Sequence, residues 1–122
     1  MRVRCRKIIG QLTGKELTSS GWLTIGNEYV VLEVYISNRR GVEFRLLGDN
    51  ENGPALFSAE QFEVTSSKIP LSWGIKVTKS GLGIELGPEG WWRKRFWEDY
   101  YDQVPEAWRE FQAEYERILK ES

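Results

Sequence analysis

The chain has 122 residues, which is enough for one domain with a single hydrophobic core. Its 17 Lys and Arg residues nearly balance its 18 Asp and Glu residues, and 40% of all residues are hydrophobic, which is typical of a folded protein. Histidine is absent and Cys5 is the only cysteine, so the composition excludes a histidine-based catalytic triad and an internal disulfide. The lack of histidine and the single cysteine also argue against a metal site, and no cofactor is predicted.

The N-terminal segment is basic, but only Ile8 and Ile9 are consecutive apolar residues, so no signal peptide is predicted. No stretch approaches the roughly 18 apolar residues that a membrane span needs. These two observations predict a cytoplasmic protein without a membrane partner. Cys5 alternates with arginines in a predicted strand, and no base or second thiol is available to it, so it is interpreted as a strand residue without chemistry.

Residues 2 to 86 are predicted to be the β part of the chain, because short runs of β-branched and aromatic residues alternate there with turn residues. The run 29–36 has apolar residues on both faces, which predicts a central strand. Strict alternation would place Val30, Leu32, Val34 and Ile36 on one face and Tyr29, Val31, Glu33 and Tyr35 on the other. Further strands are predicted at 2–6, 21–25, 42–47, 55–57, 62–65, 69–77 and 82–86, with a hairpin loop at 37–41 and an exposed turn at 49–54.

A helical period replaces this pattern after the segment 87–90. Trp92, Phe96 and Tyr100 recur every four residues, which predicts a short helix, and a second helix is predicted from Pro105 towards Lys120. We therefore expect a single α+β domain over residues 1–122, with a helical part at about 88–121 packed on a small, strongly bent antiparallel β-sheet or SH3-like barrel. The apolar stripe of the second helix is predicted to be Trp108, Phe111, Tyr115, Ile118 and Leu119.

An enzymatic function has little support in the sequence. Without histidine, acid–base chemistry would need a carboxylate pair such as Asp99 and Asp102 near aromatic residues, and no spacing singles out such a pair. The segment 81–83 contains two glycines but lacks the further residues of a dinucleotide loop or a P-loop. We therefore predict neither catalysis nor a small-molecule substrate.

The segment 91–97 interleaves Arg93, Lys94 and Arg95 with four aromatic residues, the combination found on nucleic-acid-binding surfaces. Arg39 and Arg40, in the predicted hairpin loop, would add to such a surface. The same aromatic residues have helical spacing, however, and packing in the core explains them equally well. Nucleic-acid binding is therefore the alternative hypothesis.

Charge is unevenly distributed along the chain. Residues 1–97 contain 14 basic and 10 acidic residues, whereas residues 98–122 contain 3 basic and 8 acidic residues. Glu106, Glu110 and Glu114 are spaced at i, i+4 and form one row along the predicted second helix. Such a row is either a solvated face or an acidic surface that attracts a basic partner.

A series of short motifs occurs along the chain in a definite order. They are Asn27–Val34, Glu43–Leu46, Asp49, Pro54–Phe57, Phe62–Val64, Ile69–Pro70, Trp73, Gly87–Pro88, Trp91 or Trp92, Phe96–Asp102, Pro105–Ala107, Phe111, Glu114 and Ile118. This order resembles the small bacterial immunity proteins of polymorphic toxin systems, of the contact-dependent inhibition or Rhs type. The resemblance covers roughly residues 20 to 119 and departs at Gln103–Val104 and at Arg93–Arg95.

The resemblance implies a protein that binds a cognate toxin domain, with one-to-one stoichiometry, and neutralises it by blocking an essential surface. We expect the contact surface to include the acidic residues Asp99, Asp102, Glu106, Glu110 and Glu114, which would steer a basic toxin such as a nuclease. Trp91 and Tyr101 are predicted to be exposed aromatic anchors of that surface.

Overall fold

The computed structural model describes residues 1–50 and 53–122. Two α-helices follow nine short strands, which confirms the predicted α+β class. The strands are β1 (Arg2–Cys5), β2 (Ile8–Ile9), β3 (Glu16–Leu17), β4 (Glu28–Ser37), β5 (Gly41–Leu46), β6 (Ala55–Ser58), β7 (Phe62–Ser66), β8 (Trp73–Val77) and β9 (Gly83–Pro88). The helices are α1 (Phe96–Tyr101) and α2 (Pro105–Glu121), with 3₁₀ helices at Ala59–Gln61 and Glu89–Trp92.

The ten-residue strand β4 is central, as predicted, and all strand pairs are antiparallel. On one side it pairs with β5, which in turn pairs with β6. On its other side, the N-terminal half of β4 pairs with β1 and the C-terminal half pairs with β9. Strand β7 extends the sheet beyond β1, and β8 extends it beyond β9. The described strands therefore form an open, branched sheet, and the SH3-like barrel alternative is wrong.

Two local predictions fail near the N-terminus. The segment 21–25 is not a strand, because its backbone makes separate hydrogen bonds rather than a ladder: the Trp22 carbonyl accepts from the Asp49 N–H, for example. Strands β2 and β3 form a separate two-stranded ribbon that the sequence did not predict. Two positions of the predicted turn at 49–54, Glu51 and Asn52, lie outside the described residues.

A β-bulge in β4 overturns the predicted assignment of its faces. Glu33 lies opposite Arg45, but Val31 lies opposite Leu46, so Leu32 is an extra residue on β4. Tyr29, Val31 and Val34 therefore belong to one hydrophobic core, with Phe44, Leu46 and Phe57. Val30 and Leu32 contact the second core, on the helical side of the sheet. Strict alternation fails because the bulge lets two consecutive residues, Leu32 and Glu33, point to the same side of the sheet.

The helical layer covers the second face of the sheet. Helix α2 begins at Pro105, whose fixed φ suits a first helical position. Arg95 and Gln103 have left-handed backbones, with φ of 67° and 61°, and they separate α1 from the preceding 3₁₀ helix and from α2. Among the described residues, no helix is both long enough and apolar enough to cross a membrane. The core beneath the helices contains Leu32, Trp91, Phe96, Tyr100, Ala107, Phe111 and Ile118.

Candidate functional site

The predicted acidic surface is partly neutralised by the chain itself. Arg93 donates from Nη1 to Asp99 Oδ2 and from Nε to Glu110 Oε2, both at 3.1 Å. The Arg117 guanidinium lies 2.9 Å from Glu114, whose side chain is only 17% exposed. Asp99, Glu110 and Glu114 are thus held by intramolecular ion pairs.

The basic–aromatic segment is correspondingly less basic than its sequence suggests. Arg93 holds two carboxylates, and Arg95 forms an ion pair of 2.9 Å with Glu98. Lys94 is exposed and has no ion pair with any described residue. Arg39 and Arg40 are exposed at the β4–β5 loop, and Arg39 lines a groove with Thr78 and Leu82 that the 93–95 segment does not line. The five cations are therefore not gathered in one described groove.

The prediction that Trp91 is an exposed anchor is wrong. Its side chain is 2% exposed and its ring stacks on Phe111 at 5.1 Å and on Phe96 at 6.0 Å. The 3₁₀ helix Glu89–Trp92 turns this indole into the core, under the amphipathic helix α2. Tyr101, by contrast, is 47% exposed, and its hydroxyl donates to the Pro54 carbonyl.

Trp108 is the exposed aromatic residue that the sequence analysis missed. It was assigned to the buried stripe of α2, but it is 48% exposed, whereas Phe111 and Ile118 are buried. At 100° per residue, Trp108 lies at the margin of the stripe centred on those two positions. Its ring stacks on Tyr100 with an interplanar angle of 7°, and Tyr100 also contacts Tyr101 edge-on. A helical-wheel projection of the α2 sequence alone would have indicated this marginal position of Trp108.

Residues 101–108 form what we call the helical corner, where α1 ends and α2 begins. Two exposed carboxylates, Asp102 and Glu106, lie in this segment, which also contains the half-exposed Tyr101 and Trp108. Neither carboxylate forms an ion pair with a residue in the described ranges 1–50 and 53–122. The corner therefore combines aromatic rings on a rigid helical support with two negative charges that remain available to a partner.

A buried ion pair links the sheet to the helical layer. Glu33 is fully buried on β4 and accepts a hydrogen bond of 2.8 Å from Arg45 Nε on β5. The Tyr35 hydroxyl donates to the same carboxylate oxygen, Oε1, at 3.0 Å. The Arg45 guanidinium also lies 4.0 Å from the centre of the Trp97 ring, in a cation–π contact. This pair is not among the residues predicted from the sequence, although the register of the predicted hairpin places Glu33 opposite Arg45.

Burial raises the pKa of Glu33 to about 7, although the positive charge of Arg45 lowers it in part. The second oxygen, Oε2, is buried and has no hydrogen-bond partner among the described residues, so a proton there displaces no existing bond. Below the ordinary pKa of 4.5, both the folded and the unfolded states are protonated. Between 4.5 and about 7 only the folded state keeps the proton, so stability falls as the pH rises through this window.

Glu33→Gln is therefore expected to flatten the dependence of stability on pH. In urea unfolding between pH 5 and pH 8, the wild type should lose about 2–3 kcal/mol more than this variant, which is most of the free energy that corresponds to the pKa difference. Glu63→Gln, at an exposed carboxylate, is the control and should keep the wild-type slope. Parallel curves for the wild type and Glu33→Gln would contradict the assignment.

A groove of about 580 Å³ lies elsewhere, between the N-terminal segment and β6. Its lining is mainly apolar and includes Ile8, Leu17, Trp22 and Phe57. The buried Gln61 in this lining is already engaged, because its Oε1 accepts from the Ile9 N–H and its Nε2 donates to the Ser58 carbonyl. This groove contains none of the residues nominated from the sequence.

The comparisons with known proteins leave the function to be argued from the site. No protein-family model matches the chain, and neither the curated proteins nor the solved structures contain a match. Within the described part of the chain, no group of three or more Cys, Asp or Glu residues is arranged to hold a metal ion. The resemblance to immunity proteins therefore stays a prediction.

Proposed function

We propose that this chain is an immunity-type inhibitor, without catalysis of its own, that binds a cognate bacterial toxin domain in the cytoplasm. The observation that carries the proposal is the helical corner, where Tyr101 and Trp108 are half exposed and the carboxylates of Asp102 and Glu106 form no ion pair with a described residue. Partly exposed aromatic residues on a rigid support are typical anchors of protein interfaces. The two carboxylates favour a basic partner, such as a nuclease whose own site binds phosphates.

The proposed contact surface differs from the sequence-based one. Asp102, Glu106 and Tyr101 are retained, and Trp108 takes the place of the buried Trp91. Asp99, Glu110 and Glu114 become supporting residues, because their ion pairs with Arg93 and Arg117 must break before they can bind a cation of a partner. The proposed surface is therefore centred on residues 101–108.

The function is tested by arrest and rescue of growth. A polypeptide that co-purifies with the tagged chain from the source bacterium is expressed alone and then together with the chain. The proposal requires growth arrest in the first case, rescue in the second, and a one-to-one complex in solution. A co-purified polypeptide that does not arrest growth, or arrest that the chain does not relieve, contradicts it. Salt-sensitive retention of single-stranded RNA or DNA by the chain would instead favour the nucleic-acid alternative.

The charges of the corner are tested separately. Asp102→Lys combined with Glu106→Lys is expected to slow association with the toxin roughly tenfold at low salt, with little change in stability, because both side chains are exposed. The matched control is Glu16→Lys combined with Glu60→Lys, the same charge change at exposed positions on β3 and the first 3₁₀ helix. Stopped-flow association at low and high salt provides the measurement. If both double variants associate equally fast, steering by the corner is ruled out.

A further inference from the structure

Strand β8 is an edge strand, and its outer side pairs with no strand in the described part of the chain. It pairs only with β9, and the register places Lys76 opposite Glu85 and Ile75 opposite Leu86. The Thr78 N–H donates to the Gly83 carbonyl, so alternate residues of β8 direct their backbone groups towards β9. By this alternation Lys76 and Gly74 bond inward, while the N–H and C=O groups of Ile75 and Val77 point outward. Across the described ranges, no hydrogen bond reaches these outward groups.

The side chains along this edge are unusually apolar for an open strand. Ile75 is 67% exposed and Val77 is 62% exposed, and nearby Leu71 is 92% exposed. Proteins normally protect an open edge with charges, proline or a covering element, because an apolar edge binds other strands. Lys76 is the one charged residue of β8, and it lies on the opposite face from Ile75 and Val77. The edge therefore has the properties of a surface that adds another strand.

The edge is complementary to a second copy of itself. If two β8 strands pair antiparallel with Ile75 opposite Ile75, the outward groups of Ile75 form a hydrogen-bonded pair across the twofold axis. The Val77 N–H of each copy then lies opposite the Trp73 carbonyl of the other. The Trp73 N–H needs no new partner, because it already donates to the Pro70 carbonyl at 3.1 Å. In this register the N–H and C=O of Ile75 and the N–H of Val77 all find partners, and the Val77 carbonyl of each copy stays without a strand donor because the Trp73 N–H is already engaged.

Charge complementarity supports the same register. Lys76 of one copy would lie opposite Gly74 of the other, in a pair whose side chains are close. The Glu89 carboxylate covers Gly74, since its Oε1 is 2.8 Å from the position that a Cβ would occupy. Glu89 is exposed and forms no ion pair with a described residue, so it can accept the partner's Lys76, whose ammonium, 3.3 Å from Glu85 of its own chain, would then lie between two carboxylates. The twofold axis generates this ion pair twice.

From this register we propose that two copies of the chain associate by antiparallel pairing of their β8 edges, with Ile75 on the twofold axis. The two sheets then become continuous across the dimer, and Ile75 and Val77 of both copies share one face. The inference does not depend on the proposed function, because the helical corner is formed by other elements. A dimer assembled in this way would present two helical corners to toxin molecules.

Sedimentation equilibrium over a concentration series tests the proposal. The wild type is expected to show a monomer–dimer equilibrium, and Ile75→Lys should raise its dissociation constant roughly tenfold or more, because it opposes two cations on the axis. Val64→Lys is the matched control, since Val64 is 50% exposed on the edge strand β7. Circular dichroism and thermal unfolding verify that both variants fold. A monomeric wild type, or an Ile75→Lys dimer as tight as the wild type, overturns the proposal.

Reversal of the interfacial charges tests the register independently. Lys76→Glu and Glu89→Lys each place like charges across the interface and are expected to weaken the dimer, whereas the double variant should recover most of the wild-type affinity. A double variant that is as weak as the single variants overturns this register. If β8 is instead covered by a strand of another protein while the isolated chain stays monomeric, association with a second copy is also overturned.

Discussion

Replacing Glu33 with leucine is expected to lower the free energy of unfolding by roughly 3–5 kcal/mol at pH 8, because it removes the oxygen that accepts from Arg45 Nε and from the Tyr35 hydroxyl and leaves these buried donors unsatisfied. Arg45 is only 9% exposed, and unlike a buried lysine it cannot lose its charge by releasing a proton. Its remaining contacts include the Tyr35 hydroxyl at 3.4 Å and the Trp97 ring, and neither replaces the acceptor that Glu33 offers to Nε. Urea unfolding measures the loss, and it should exceed that of any single exposed ion pair in the chain.

Two controls separate this charge effect from lost packing. Glu63→Leu removes an exposed carboxylate that pairs with Arg4 and Arg6, and it should cost about 1 kcal/mol or less. Glu33→Leu combined with Arg45→Met replaces the buried pair with apolar side chains and should recover much of the stability lost in the single variant. If the double variant is less stable than Glu33→Leu, the loss comes from packing rather than from an unpaired charge.

Alanine substitutions at two tryptophans of the helical part are expected to have different effects, one mainly on stability and the other mainly on toxin binding. Trp91→Ala should destabilise the fold by about 3–5 kcal/mol, because it opens a cavity between the rings of Phe96 and Phe111. Trp108→Ala should cost only about 1 kcal/mol of stability, mainly its stacking on Tyr100. Trp108→Ala should nevertheless weaken toxin binding by about 2 kcal/mol, or roughly 30-fold, if Trp108 anchors the interface.

Effects on stability are distinguished from effects on toxin binding by measuring both unfolding and binding on the same preparations. Binding of Trp108→Ala is titrated at a temperature where thermal unfolding shows that the variant is fully folded. A conservative variant, Trp108→Phe, should recover part of the affinity, because it keeps an aromatic ring at the corner. If Trp108→Ala binds as tightly as the wild type, the helical corner is not the contact surface. If Trp91→Ala is as stable as the wild type, the assignment of Trp91 to the core is wrong.

The local sequence pattern was sufficient to predict most of the strands and helices. The run 29–36 became the central strand β4, and the turn residues after it correctly indicated the hairpin with β5. The apolar period after Pro105 gave the position of α2. These predictions succeeded because hydrophobic periodicity and turn chemistry act between residues that are close along the chain. The prediction of a strand at 21–25 failed because the hydrogen bonds of this segment depend on residues distant in sequence.

The candidate site depended more on contacts between distant residues. The sequence indicated that charge is segregated, but not that Arg93 would hold both Asp99 and Glu110. It placed Trp91 and Trp108 in aromatic patterns without showing which of them faces the core. That choice follows from how the 3₁₀ helix and α2 are rotated against the sheet. Rotation of one element against another is set by packing over long sequence separations, which periodicity does not record.

The sequence by itself determined the α+β composition, the central position of β4 and the acidic character of the C-terminal segment. The tertiary structure alone decided the bulge at Leu32, the burial of Trp91 and the edge position of β8. The physical reason is the same in each case. Composition and period fix the conformation that a segment prefers, whereas burial, register and edge position depend on which distant segments pack against it.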